Sequence, residues 1–121
     1  TMAPTMVFNE EGDLMLVTGS PGGSLIPAAI LRVITGVVDF NLDIGQATML
    51  PRVHKDWPTT GILYERTLNS DVVRIINKTI GHKMTPEHTM GSTQSIHIID
   101  GINYGFADLR RPNASVSIQP N

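Results

Sequence analysis

The stretch "LMLVTGSPGGSLIPAAILRVITGVV", residues 14–38, limits the possible folds more than any other part of the chain. Leu14 to Thr18 are β-prone and apolar almost throughout, so they are expected to form a central strand buried on both faces. Gly19 to Ser24, "GSPGGS", then break the strand. Leu25 to Val38 suit a helix with Pro27 tolerated in its first turn. Apolar side chains occupy nearly every side of that helix, which predicts burial between layers. A strand, a tight loop and a helix in this order place free backbone N–H groups at the positive end of the helix. Such a corner is either a bend, for which glycine is the default, or a seat for a phosphate, carboxylate or oxyanion. Neither Gly-x-x-x-x-Gly-Lys-[Ser/Thr] nor Gly-x-Gly-x-x-Gly is present, and pattern alone favours the bend.

The other segments group around this corner. "TMVF" at 5–8 pairs with 14–18 as a hairpin across the polar link "NEEGD". Asp43 is placed to cap a short helix over 43–49, which Pro51 stops. Residues 52–57 and 62–65 read as strands around "PTTG". A helix capped by Ser70 places Val72, Val73, Ile75, Ile76 and Ile80 on one face, and Gly81 ends it. "STQSIHIID" and "YGFADLRR" form a second hairpin, with a turn at "GIN" and Gly101 at its tip. The tail from 112 has no clear period. The predicted order is ββ–α–α–β–β–α–β–β, an α+β arrangement of layers in one domain with mainly antiparallel sheets.

Composition narrows the function classes. With 40% hydrophobic residues in 121, the chain can build a core. The net charge of −2 and the lack of a basic stripe argue against nucleic acid as a partner. There is no cysteine, which excludes disulfides, thiolate metal sites and a Cys nucleophile. The longest apolar run is interrupted and falls short of the roughly 20 residues of a membrane span. The opening "TMAPTMVF" has no signal-peptide pattern and enters a strand at once, as the interior of a longer protein would. His54, His82, His88 and His97 have no metal-ligand spacing, so no metal is expected. "GSPGGS" lacks the central serine of a Gly-x-Ser-x-Gly elbow. Asp108, Arg110 and Arg111 read as a salt-bridged corner of minor energetic weight, since exposed ion pairs contribute little. Asn77-Lys78-Thr79 and Asn113-Ala114-Ser115 are glycosylation triplets with no other support.

Five spans, Met2–Thr5, Gly19–Ser24, Leu50–His54, Met90–Ile96 and Gly105–Arg110, occur in an order that resembles the C-terminal part of the γ-glutamyltranspeptidase small subunit. The family pattern is Ser-Ser-Met-[Ser/Ala]-Pro-Thr, then Gly-Ser-Pro-Gly-Gly-Ser, Ala-Pro-Arg-x-His, Met-Gly-x-x-x-[Ala/Ser]-Ile and Gly-x-x-Asp-x-Arg. The resemblance covers nearly the whole chain, and the glycine loop is its most specific piece. It implies part of a four-layer αββα sandwich of the N-terminal-nucleophile hydrolase type. It also implies a self-cleaving precursor that moves a γ-glutamyl group from glutathione or a related amide, through an acyl-enzyme, to water or an amino acid. No cofactor is implied.

Carried over by position, the backbone N–H groups of Gly22 and Gly23 form an oxyanion hole. Thr1, Met2, Ser20 and Pro21 fall at the substrate, with Thr1 in the second serine position of the carboxylate-binding pair. The catalytic threonine of the family lies upstream of the Ser-Ser-Met motif, so Thr1, although N-terminal here, matches a binding position rather than the nucleophile. Leu25 stands where bacterial members often carry Arg, and "DLRR" replaces "DPR". The implied partners are the large subunit, the N-terminal part of the small subunit and a small γ-glutamyl substrate. The implied compartment is the periplasm or the cell exterior. Alone, the segment is expected to be inactive, to expose apolar surface and to self-associate through it. An acylase or a poly-γ-glutamate-cleaving relative on the same scaffold, or a non-catalytic structural fragment, are the alternatives.

Overall fold

The computed structural model describes residues 2–58 and 61–119. In chain order the elements are β1 (Thr5–Phe8), β2 (Leu14–Gly19), α1 (Ile26–Val38), α2 (Ile44–Met49), β3 (Val53–His54), β4 (Gly61–Glu65), α3 (Ser70–Ile75), β5 (Lys83–Glu87), β6 (Gln94–Ile99) and β7 (Ile102–Ala107). A 3₁₀ turn, Gly23–Leu25, leads into α1, and a π-helical turn, Ile76–Ile80, continues α3. The chain forms two compact units, one from Thr1–Leu50 with Gly91–Asn121 and the other from Pro51–Met90.

The first unit is built on an antiparallel sheet in the order β1-β2-β6-β7. Leu16 lies opposite Val7 on one side and His97 on the other, and His97 opposite Tyr104, so this row shares one face. Helices α1 and α2 cover that face. Its core joins Leu16 to Val33 and Val37 of α1 and to Ile44 and Ala47 of α2, with Val7 and Phe106 packed alongside. The two helices approach closely at Gly36, where an added Cβ would lie 2.8 Å from the Ala47 Cβ. Asp43 caps α2, accepting from the Gln46 N–H at 2.8 Å, and the Gln46 side chain returns to the Asp43 N–H.

Two burial expectations need correction here. The buried positions of α1 are Ile26, Ala29, Ile30, Val33, Gly36 and Val37, a single stripe at helical spacing, while Leu31 is 60% exposed. In β2, Leu16 and Thr18 are buried, but Val17 on the opposite face is only half-buried. The row Met6, Val17, Ile96 and Gly105 therefore forms an outer face carrying the exposed side chains of Met6 and Ile96. The second hairpin also differs in detail. Its turn is the pair Asp100–Gly101, with φ of 50° and 75°, and Ile102 and Asn103 belong to β7. Positive φ at both positions suits the right-handed twist of the flanking strands.

The second unit holds a three-stranded sheet in the order β3-β4-β5, antiparallel between β3 and β4 and parallel between β4 and β5. Strand β5, "KMTPE", was not expected. Only Met84 in it is buried, and Pro86 is tolerated because β5 is an edge strand. The cap of α3 is Asn69, whose side chain accepts from the Asp71 N–H at 2.8 Å, and Ser70 is the first helical residue rather than the cap. Gly81, at φ 85°, closes the π turn as expected. No residue of α3 or of the π turn is buried, and Ile80 is 60% exposed. The wider π turn rotates Ile80 off the stripe that a regular helix would have made.

Candidate active site

Strand β2 ends at Gly19, and the next residue begins the loop. The Ser20 N–H donates to the Met2 carbonyl at 3.0 Å, which lays the segment before β1 beside the loop. A Cβ on Gly19 would stand 3.4 Å from that same carbonyl oxygen, at ordinary van der Waals contact. The structure thus brings Met2, Ser20, Pro21, Gly22 and Gly23 together; Thr1 lies outside the described residues. Ser20 is fully buried, with its Oγ donating to the Pro21 carbonyl at 2.7 Å and accepting from the Ser92 N–H at 3.0 Å.

Gly22 and Gly23 are exposed and have φ of 139° and 60°, which L side chains rarely adopt. The Leu25 N–H donates to the Gly22 carbonyl at 3.1 Å, and the Ile26 N–H donates to the Gly23 carbonyl. Among the described residues, the N–H groups of Gly22 and Gly23 themselves donate to no protein acceptor. The loop rests on Gly91, at φ 71°, whose Cα would lie 3.3 Å from a Cβ on Gly22. A Cβ on Gly91 would fall 2.6 Å from Ser20 Oγ and 3.3 Å from the Pro21 oxygen. Gly91 and Ser92 lie within the span Met90–Ile96, where the resemblance implies no role for either. Their contribution is a close backbone approach, for which the sequence offers only the glycine itself as a signal.

Behind the loop, the expected salt-bridged corner is present, but it is neither exposed nor minor. Asp108 is fully buried and Arg110 is 8% exposed, with Arg110 Nη1 3.2 Å from Asp108 Oδ1. Asp108 also accepts from the Thr93 N–H at 2.9 Å and from the Arg110 N–H at 3.0 Å. The Arg110 guanidinium donates onward to the carbonyls of Thr48 and Leu50, at 2.8 and 3.0 Å. This satisfies both charges in the interior and ties the end of α2 to Thr93, between Ser92 and the start of β6. Arg111 is exposed and takes part through its N–H, which donates to the Asp108 carbonyl.

A comparable clamp lies in the second unit, where Arg52 and Glu65 are both buried. Glu65 accepts from the backbone N–H of Arg52 at 3.0 Å and of Met90 at 2.9 Å, and Arg52 Nη1 donates to the Met90 carbonyl at 2.7 Å. His54 Nε2 is 2.8 Å from Asp56 Oδ1. Among the described residues no group of three or more His, Asp or Glu is arranged to hold a metal ion.

His97 lies under the helices, paired with Leu16 and Tyr104, and burial holds its imidazole below the ordinary value of 6.5. The unfolded chain therefore takes up the proton more readily than the folded one. The stability linked to this group is full above about 6.5 and is lost as pH falls through the lowered folded value. His97→Gln is expected to flatten this part of the profile. Urea midpoints measured near pH 7 and near pH 5 should then fall less in the variant than in the native protein.

The sequence profile of the γ-glutamyltranspeptidase family matches residues 1–118. The chain belongs to this family. It is 37% identical to the Escherichia coli K12 glutathione hydrolase proenzyme over 111 residues, which are 91% of this chain and 19% of that protein. Against the Bacillus subtilis strain 168 glutathione hydrolase proenzyme it is 31% identical, covering 98% of this chain and 20% of the relative. The crystal structure of a Helicobacter pylori γ-glutamyltranspeptidase variant superposes with a TM-score of 0.84 at 32% identity, covering 92% of this chain and 61% of that one. The family fold is α+β of the N-terminal-nucleophile hydrolase type, as expected. The chain spans about a fifth of the length of the curated relatives it matches. Among the described residues, no helix is long and apolar enough to cross a membrane.

Proposed function

We propose that the full-length protein is a γ-glutamyl transfer enzyme acting on glutathione-like amides, and that this segment supplies its oxyanion hole. The reading is carried by the loop geometry: Gly22 and Gly23 are exposed, sit at positive φ of 139° and 60°, and present backbone N–H groups that no described protein acceptor uses. Membership of the family and the names of the E. coli and B. subtilis relatives support the reaction class. A threonine hydroxyl upstream of the segment attacks the γ-carbonyl carbon, and the carbonyl oxygen becomes an oxyanion. Donors aimed at that oxygen stabilise the transition state, and losing one such donor typically costs about 10²–10³ in rate. Collapse of the intermediate expels the amine and leaves an acyl-enzyme, which water or an amino-acid amine then attacks at the same carbon. Met2 and Thr1 border the α-carboxylate of the glutamyl group, and Pro21 shapes the loop beside it. The large subunit and the N-terminal part of the small subunit complete the site and cover the outer sheet face. By resemblance the compartment is the periplasm or the cell exterior.

The test is release of a chromophore from a γ-glutamyl anilide, with and without glycylglycine, by the full-length protein and by this chain alone. Activity in the first and none in the second is the expected result. Turnover by this chain alone would make Thr1 the nucleophile. No turnover by either would remove the transpeptidase reading.

A further inference from the structure

The amides of Gly22 and Gly23 face outward only while two carbonyls are held inward. A trans peptide is planar, so its C=O and N–H point to opposite sides of the chain. The Pro21 carbonyl shares a peptide with the Gly22 N–H, and the Gly22 carbonyl shares one with the Gly23 N–H. The second carbonyl is fixed by an ordinary turn bond, from the Leu25 N–H at 3.1 Å. The first is fixed by a side chain, the Ser20 hydroxyl at 2.7 Å.

We propose that Ser20 is a positioning residue that sets the direction of the Gly22 amide, acting through the Pro21 carbonyl. The proposal rests on the reading of Gly22 and Gly23 as the oxyanion hole. Ser20 Oγ is itself held by the Ser92 N–H at 3.0 Å, in a fully buried position. With its proton given to Pro21 and a lone pair taken by Ser92, the hydroxyl has a fixed orientation. Glycine at 22 gives the Pro21–Gly22 peptide little steric resistance to rotation, so a separate restraint is needed. A rotated peptide would place a carbonyl oxygen where the reaction needs a donor. Gly91 makes the arrangement possible, because any side chain there would collide with Ser20 Oγ, 2.6 Å from its Cβ position. Ser20 therefore acts on the reaction through the Gly22 amide and not by touching the substrate.

The experiment compares Ser20→Ala, Ser20→Cys and Gly22→Ala in the full-length protein. Active sites are counted with an irreversible γ-glutamyl-directed inhibitor, so that kcat refers to folded sites. For Ser20→Ala we expect kcat on a γ-glutamyl anilide to fall about 10–100-fold, with KM and the inhibition constant of glutamate nearly unchanged. Affinity for a glutamate analogue with an anionic γ-phosphonate should fall by the same factor as kcat/KM. Ser20→Cys, which keeps the shape but is a weaker donor, should fall between. If Ser20→Ala yields no folded sites, the cysteine variant decides by the same readouts. An unchanged kcat in the serine variants beside a slow Gly22→Ala would overturn the lock and leave the hole standing. An unchanged Gly22→Ala would remove the hole reading itself. A raised KM and glutamate inhibition constant at constant kcat would place Ser20 on the substrate and overturn the proposal.

Discussion

Gly22→Ala in the full-length protein is expected to lower kcat for γ-glutamyl release by about 10²–10³, with a much smaller change in KM. The residue sits at φ 139°, and its Cβ would stand 3.3 Å from the Gly91 Cα. Alanine cannot hold that φ without strain, so the backbone relaxes and the Gly22 N–H leaves its direction. The loss falls on kcat because the developing oxyanion, not the ground-state carbonyl, depends most on the donor. Stability should change little, since the loop is exposed and outside the core. Stopped-flow or steady-state kinetics on titrated sites check this. A kcat within a factor of about two of the native value would mean that Gly22 does not serve the oxyanion.

Asp108→Ala is expected to destabilise the folded protein by about 3–5 kcal/mol, the cost of breaking a buried ion pair from one side. The substitution leaves the Arg110 guanidinium 8% exposed with its carboxylate gone, and it removes the acceptor of the Thr93 and Arg110 N–H groups. Set against a typical stability of about 5–15 kcal/mol, that loss leaves a small margin. Chemical denaturation of the full-length protein measures it. Removing both partners, by Asp108→Ala with Arg110→Met, should cost less than the first change alone, because no uncompensated charge remains. A double variant no more stable than the single one would show that the carboxylate matters mainly for the Thr93 N–H.

Much of this architecture was legible in the chain because apolar residues and turn formers carry the signal directly. The β1–β2 hairpin, the Asp43 cap, the end of α2 before Pro51 and the hairpin at Gly101 all come from local chemistry. Strand β5 was not legible, since "KMTPE" has no alternation of apolar residues and its place follows from pairing with β4. The exposure of Val72, Ile75 and Ile80 was not legible either, because apolar spacing says which residues share a helix face and not whether anything in the unit covers that face. Composition could not distinguish a minor surface ion pair from the buried Asp108–Arg110 pair; burial of both partners is a tertiary fact. At the loop, the resemblance pointed to Gly22 and Gly23. What it could not supply was the support beneath them, since the contacts of Ser20 with Ser92 and of Gly22 with Gly91 join residues some seventy positions apart.

The clamp of Arg52, Glu65 and Met90 has a further consequence. It bonds the start of the Pro51–Met90 segment to its end, with Arg52 Nη1 2.7 Å from the Met90 carbonyl. A segment whose two ends are fastened to each other behaves as a cassette. Its interior, including α3 and the loop around Trp57, can lengthen, shorten or be exchanged while the spacing of its junctions stays the same. Grafted segments are best accommodated between Arg66 and His88, which leaves Arg52, Glu65 and Met90 of the clasp in place.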